Sequence, residues 1–141
     1  MATFNKFQSF VEHLAEKVHN LGADTLKVML TDTAPVATNT VKADLTEITA
    51  GNGYTAGGAT LTVTSSAQAS GVYKLVANDV VITASGGSIG PFRYAVIYND
   101  TPTSPADPLI GWWDRGSSAT LLEGESVTID LDQTNGVLTV T

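Results

Sequence analysis

The segment IGPFRYAVIYNDTPTSPADPLIGWWD, residues 89–114, decides the fold of this chain. Its first part, residues 92–98, is aromatic and β-branched, a composition that favours a strand in a half-buried sheet. Turn residues follow at 99–102, and the strand pattern resumes at 109–113. Because aromatic rings bury the largest apolar area per residue, we predict two adjacent central strands onto which the rest of the chain packs.

Strand alternation assigns the side chains of the first strand to two faces. One face would carry Phe92, Tyr94, Val96 and Tyr98, and the other Arg93, Ala95 and Ile97. A charge such as Arg93 in so apolar a strand is costly unless it is paired. Asp114 is a candidate partner across the hairpin. The alternative is an arginine that points at a neighbouring protein, since arginine is enriched in interfaces.

Short alternating or apolar runs bounded by turn residues occur on both sides of this hairpin. They lie at residues 26–31, 59–64, 72–77, 79–84, 119–122, 127–131 and 137–140. This spacing is typical of antiparallel β proteins, so we predict an all-β jelly roll or β-sandwich of about eight or nine strands. Residues 33–43 are predicted as a loop, residues 65–70 as a loop or an edge strand, and residues 115–118 as a turn.

The N-terminal region carries the only helical pattern. Apolar residues recur at steps of three and four at Phe4, Phe7, Phe10, Val11, Leu14, Val18 and Leu21. We predict a helix over residues 3–21, with Thr3 as N-cap and Gly22 as the stop. The chain is then a single domain of residues 1–141, with a helix in 1–22 and a β-sandwich in 23–141. The helix either lies across one end of the sandwich or docks on a partner subunit.

Composition limits the classes of partner. The net charge is −7 with no basic cluster, which argues against nucleic acid as a direct partner. No apolar run approaches the roughly 20 residues of a membrane span, and the N-terminus lacks the pattern of a signal peptide. We therefore expect a protein made in the cytoplasm that does not act in a membrane. Only 15% of residues are charged, which suggests that some surface is buried against another molecule.

The sequence contains no pattern typical of catalysis, and we predict no catalytic residue, no cofactor and no metal. It has no cysteine, and its serines lack the G-x-S-x-G motif. His13 and His19 are six residues apart on the predicted helix, so they would not share a ligand face, and we interpret both as solvated. The glycine-rich segment 51–58 lacks the spacing of a nucleotide-binding loop and is interpreted as turns.

Several segments in a fixed order resemble one family of proteins. These are NLGADTLKVMLT, GNGYTAGG, GGSIGPFRYAVIYNDT, PLIGWWDRGSS and NGVLTV, which together with the N-terminal pattern cover nearly the whole chain. They resemble small structural proteins of tailed bacteriophages. The resemblance implies a capsid decoration, or cement, protein with a jelly-roll fold that bridges neighbouring major capsid protein subunits on the head surface, commonly as a symmetric oligomer. It transfers no binding or catalytic residue to this chain.

The leading hypothesis is therefore a virion protein on the capsid surface, a homodimer or homotrimer that binds the major capsid protein. The alternative is a receptor- or carbohydrate-binding module on a tail or fibre, which an exposed tryptophan would favour. The candidate contact segments are the N-terminal helix and the loop 99–108. From composition alone, the candidate contact residues are Phe4, Phe7, Phe10, Arg93, Trp112 and Arg115.

Overall fold

The computed structural model describes residues 2–141, and ten strands and one α-helix lie in that range. The elements are β1 Asn5–Lys6, α1 Ser9–Ala15, β2 Leu26–Thr31, β3 Ala59–Thr60, β4 Val63–Ala69, β5 Val72–Ala77, β6 Val80–Thr83, β7 Ile89–Asn99, β8 Leu109–Leu121, β9 Ser126–Ile129 and β10 Leu138–Val140. A short 3₁₀ helix spans Lys42–Asp44.

The strands form three open antiparallel sheets. The largest has the order β1-β8-β7-β2-β3, and the others are β10-β5-β4 and β6-β9. Side chains of the five-stranded sheet, such as Leu30 and Ile97, share one apolar core with Leu75, Ile82 and Ile129 of the two smaller sheets. This arrangement is that of an all-β sandwich, as the spacing of turns predicts. In the sequence, the β7–β8 hairpin lies between the two strands of the β6–β9 pair, and that pair lies between the two strands of the β5–β10 pair.

The five-stranded sheet is also covered on its outer face. A second, smaller core there contains Phe7, Met29, Val96, Tyr98 and Leu109. The loop between β2 and β3 lies over this face and is fastened by hydrogen bonds: the Tyr98 hydroxyl donates to the Gly57 carbonyl. Next to it, Gly58 has a φ of +84°, and a Cβ there would lie 1.9 Å from the Val28 carbonyl oxygen. The central sheet is therefore buried on both faces near its middle.

The predicted helix over residues 3–21 is wrong at both ends. α1 has only seven residues and no side-chain cap, and Thr3 lies outside it. Asn5 and Lys6 instead pair with Trp112 and Gly111 as an edge strand of the central sheet. An apolar pattern can be satisfied by either structure, and here Phe4 packs in the larger core and Phe7 in the smaller one. The predicted boundary at residue 22 is wrong too, because the N-terminal segment is part of the sheet.

The strand predictions mostly hold. β2 and β5 begin and end where the sequence pattern predicts. Of the two alternatives for residues 65–70, the structure shows the edge strand, since residues 65–69 belong to β4. The prediction for residues 115–118 was wrong, because they do not reverse the chain but lie within β8. The predicted face of Phe92 is also wrong. Its side chain lies in the larger core with Ala95 and Ile97, because the register of the β7–β8 pairing shifts between Phe92 and Tyr94.

A candidate docking groove at the open half of the long hairpin

The β7–β8 hairpin has two unlike halves. In the half next to the connecting loop, which we call the closed half, residues 96–99 and 109–110 are at most 1% exposed. In the open half, residues 89–94 pair with 114–121 through an irregular register. Tyr94 pairs with Asp114, but Phe92 pairs with Ala119, so residues 115–118 bulge out of the ladder. Gly116, at the centre of this bulge, has a φ of +96°.

An ion pair fixes the start of the bulge. The Arg93 guanidinium donates to both carboxylate oxygens of Asp114, with Nε–Oδ1 at 2.7 Å and Nη2–Oδ2 at 2.9 Å. The same carboxylate accepts the Gly116 N–H at 2.7 Å. The Arg93 guanidinium, followed by this N–H, holds the pKa of Asp114 below its usual range. The predicted partner of Arg93 is confirmed, and 38% of each side chain remains exposed.

A groove with a volume of about 200 Å³ opens beside this pair, between the central sheet and β9. Leu30, Ala95 and Trp113 line it on the side of the central sheet, and Val127 and Ile129 line it on the side of β9.

Polar and aromatic residues complete the lining of the groove. They are Arg93, Tyr94, Arg115 and Asp130. The Arg93 guanidinium lies 5.3 Å from the centre of the Tyr94 ring. Tryptophan, tyrosine and arginine are the residue types that contribute most to binding energy in protein interfaces, where a rigid ring or guanidinium fills a desolvated site. The groove therefore has the chemistry of a docking surface with an apolar centre and a polar rim.

The six predicted contact residues do not lie on one surface of the structure. Arg93 and Arg115 both line the groove. Phe7 and Phe10 are 0% and 4% exposed, so the chain uses them in its own core and they offer no surface to a partner. That is a correction to the prediction for these two residues: strand β1 and helix α1 turn them inward.

Phe4 and Trp112 are half-buried. The Phe4 ring lies 5.2 Å from Trp113, and the Phe7 ring lies 4.6 Å from Trp112. Consecutive residues of a strand point to opposite faces, so the two tryptophans lie on opposite sides of the central sheet, and each is partly covered by a phenylalanine. The loop 99–108, also predicted as a contact, lies at the closed half, at the other end of the hairpin from the groove.

Sequence reasoning missed Trp113, Tyr94, Val127 and Asp130 as groove residues. Strand alternation was the usable signal for Trp113, because it predicts that one of the two tryptophans faces the inner layer. No local signal indicated Val127 or Asp130, since they reach the groove only through the long-range pairing of β9 with β6. The presence of Gly116 alone also did not predict the register shift that forms the bulge.

A buried polar cluster lies at the far end of the hairpin, where β7 ends. His19 is 5% exposed, and its ring lies 5.3 Å from Phe10 and 5.8 Å from His13. The interpretation of His19 as solvated was wrong, because the helix ends at Ala15 and the following turns fold the residue inward. Burial lowers the pKa of His19 to about 4; His13 lowers it further and Asp24 acts in the opposite direction.

Asn99 determines which nitrogen of His19 carries the proton. The Asn99 amide oxygen accepts the Thr101 N–H, and its Nδ2 donates to Asp24 and lies 3.2 Å from His19 Nδ1. His19 Nδ1 is therefore an acceptor, and the neutral ring carries its proton on Nε2. Within residues 2–141, Ser9 Oγ, His13 Nδ1 and His19 Nε2 are buried without a hydrogen-bond partner.

Two further kinds of feature are absent from the described residues, 2–141. No group of three or more His, Cys, Asp or Glu side chains in this range is placed to hold a metal ion. None of the helices in the same range has the length and hydrophobicity needed to cross a membrane. Comparison with protein-family models, curated proteins and solved structures gave no significant match.

Proposed function

We propose that this chain is a structural protein of a tailed-phage virion that decorates the capsid exterior and bridges major capsid protein subunits. The ordered resemblance across nearly the whole chain supports the phage assignment. The groove at the open half of the hairpin is the observation that supports an adhesive role. In this role the protein is made in the host cytoplasm, acts on the capsid surface and needs no cofactor.

The groove suits contact with a protein shell. Its apolar walls, including Trp113 and Val127, would be removed from water by a partner side chain, which stabilises a complex by roughly 25 cal/mol for each Å² buried. Among residues 2–141, the Arg115 guanidinium hydrogen-bonds only to Ser117, two residues away, so most of its donors are available to acceptors on the capsid. Many weakly bound copies on one shell would act together to reinforce it.

The strand pairing also fits the jelly roll that the resemblance implies. A jelly roll winds a long hairpin so that successive strand pairs enclose one another in sequence. Three pairs here have that relation: β5–β10 encloses β6–β9, which encloses β7–β8. The N-terminal strands β1 and β2 extend the central sheet beyond this nested set. We therefore propose a jelly-roll derivative with an enlarged central sheet.

Binding to purified phage heads that lack this protein tests the proposal. Val127→Glu places a charge in the groove, and Val81→Glu is its matched control, since Val81 lies on the paired strand β6 and is 60% exposed. Arg115→Glu reverses a charge in the groove, and Lys17→Glu is its control, because Lys17 and Arg115 are both exposed cations. We expect the two groove variants to lose occupancy at least about tenfold, a change of 1.4 kcal/mol in binding free energy. The two controls should bind like the parent chain.

Circular dichroism and thermal melting would establish that each variant is folded. If the parent chain fails to bind heads, the capsid assignment is wrong. If the parent chain binds and both groove variants bind equally well, the groove is not the contact surface.

The second candidate function is a carbohydrate- or receptor-binding module of a tail or fibre. The observation that favours it is that Trp113 lines the groove together with Arg93 and Asp130, since sugars stack on aromatic rings and hydrogen-bond to charged side chains. Glycan-array binding that Val127→Glu abolishes, together with absence from purified heads, would establish this function instead.

A further inference from the structure

Strand β4 is the longest free sheet edge among the described strands. Its residues 64–69 are all exposed. The other edge strands are shorter: β1 and β3 have two residues each, β10 has three, and β6 and β9 have four. A long edge strand offers a row of unpaired backbone donors and acceptors, and proteins usually block it with lysine, proline or a covering loop.

The backbone groups that point outward from β4 can be assigned from its hairpin. Ser70 and Gly71 form a two-residue turn with φ of +53° and +82°, and Ala69 pairs with Val72. In such a turn the closing pair exchanges both hydrogen bonds, and bonded and non-bonded pairs then alternate. The Ser66–Leu75 pair is therefore not bonded. The Leu75 carbonyl oxygen, 2.7 Å from the Val137 nitrogen and thus directed at β10, agrees with this assignment.

The N–H and C=O groups of Ser66 and Gln68 are consequently directed away from β5. Among residues 2–141, no backbone group outside the strand ladders bonds to either of them. The two residues are two apart, which is the spacing of outward-facing groups that a second antiparallel strand requires. The free edge is thus geometrically competent to pair.

The edge also lacks the charges that would keep two copies apart. The chain carries 14 acidic residues, yet none lies between Glu47 and Asp79, and Lys74 is the one charged residue in that interval. Residues 64–69 read TSSAQA, with no charge, no proline and only small or neutral side chains. On a chain with a net charge of −7, this hairpin is where two copies meet with the least electrostatic repulsion.

We propose that β4 pairs with β4 of a second copy, antiparallel about a two-fold axis, and joins two three-stranded sheets into one. Identical strands satisfy each other in this arrangement because the same outward groups are offered by both. The contact is narrow and polar, so the dimer is weak and concentration-dependent in free solution. It uses a surface separate from the groove, so the two contacts can form at the same time.

Sedimentation velocity over a range of concentrations tests this pairing with the full chain. Ala67→Lys places a lysine on the exposed face of β4 in both copies, where like charges meet. Val81→Lys is the matched control, an exposed strand residue in a different sheet. We expect the parent chain and Val81→Lys to form dimers at high concentration and Ala67→Lys to remain monomeric.

Hydrogen exchange of single amides provides a second readout that does not depend on a charge. In the dimer the Ser66 and Gln68 amides gain a partner; when about nine-tenths of the strands are paired, their exchange slows by about tenfold. The Ala67 amide, which faces β5, should be protected at every concentration. A parent chain that stays monomeric, equal association of the two lysine variants, or unprotected Ser66 and Gln68 amides in a dimer would each overturn the proposal.

Discussion

The two halves of the β7–β8 hairpin are made by the same two strands and yet have opposite properties. In the closed half, Val96, Ile97, Leu109 and Ile110 are completely buried, and core lies on both faces of the sheet. In the open half, residues 115–118 are exposed, the ladder is bulged and a groove opens beside it. The difference indicates that one half holds the fold together while the other is free to present a surface.

The largest expected difference between the halves is in stability. Ile97→Ala removes a completely buried side chain from the closed half and should lower the free energy of unfolding by about 2–5 kcal/mol, through lost burial and the cavity that remains. Ser117→Ala in the open half should change it by less than about 0.5 kcal/mol, because that side chain is exposed. Urea denaturation measures both values. Equal losses would mean that the open half is as structural as the closed one.

A second expected effect concerns pH and the polar cluster at the end of β7. The pKa of His19 is about 4 in the folded chain, against about 6.5 in an unfolded one, so the unfolded state binds the proton more readily. The stabilisation is therefore complete above pH 6.5 and is lost as the pH falls towards 4. The loss amounts to at most about 3 kcal/mol, since one pKa unit corresponds to 1.36 kcal/mol.

The groups that face His19 are His13, Asp24 and Asn99, and they shape this pH dependence. Asp107, whose pKa is raised by burial, acts in the opposite sense as the pH falls. His19→Gln isolates the contribution of His19. Denaturation curves of the parent chain and of His19→Gln, taken at several pH values, should converge as the pH falls from 6.5 to 4. A parent chain with the same pH slope as the variant would contradict the assignment. His13→Gln is the control for the neighbouring ring.

The closed half could be predicted from the sequence, and much of the open half could not. Aromatic and β-branched residues at 92–98 and 109–113 predict the central strands because composition and alternation are local signals. The Arg93–Asp114 pair was also within reach, since a charge in an apolar strand requires a partner. The bulge is different: Arg115-Gly116-Ser117-Ser118 has the composition of a turn, and only the continued pairing of Ala119 with Phe92 shows that the strand goes on.

The N-terminal segment is a second region whose structure the local sequence pattern did not predict. Phe4, Phe7 and Phe10 fit a helical stripe, and that pattern predicts a single helix that carries all three. Pairing of Asn5 with Trp112 overrides it, because the edge of the central sheet offers backbone hydrogen bonds and a tryptophan on each face. Such a choice depends on a strand more than one hundred residues away, which no local window contains.

The smallest expected effect tests whether the open half is shaped by local contacts alone. Asp114→Asn removes the charge that pairs with Arg93 and weakens the acceptor of the Gly116 N–H, while the core residues of the closed half are untouched. Because both partners of the ion pair are 38% exposed, we expect little change in the melting temperature. Hydrogen exchange at the Gly116 amide should nevertheless become faster, with Asp130→Asn, an exposed carboxylate elsewhere on the groove, as control.

The pH dependence of that exchange has a defined sign. Since the pKa of Asp114 is held below its usual range, the carboxylate keeps its hold on the Gly116 amide down to pH values below the ordinary carboxyl range, and loses it as the pH falls through the lowered pKa. In Asp114→Asn this acid-dependent step should be absent. If Asp114→Asn instead melts as early as Ile97→Ala, the bulge is coupled to the core, and a partner that binds the groove would alter the stability of the whole sandwich.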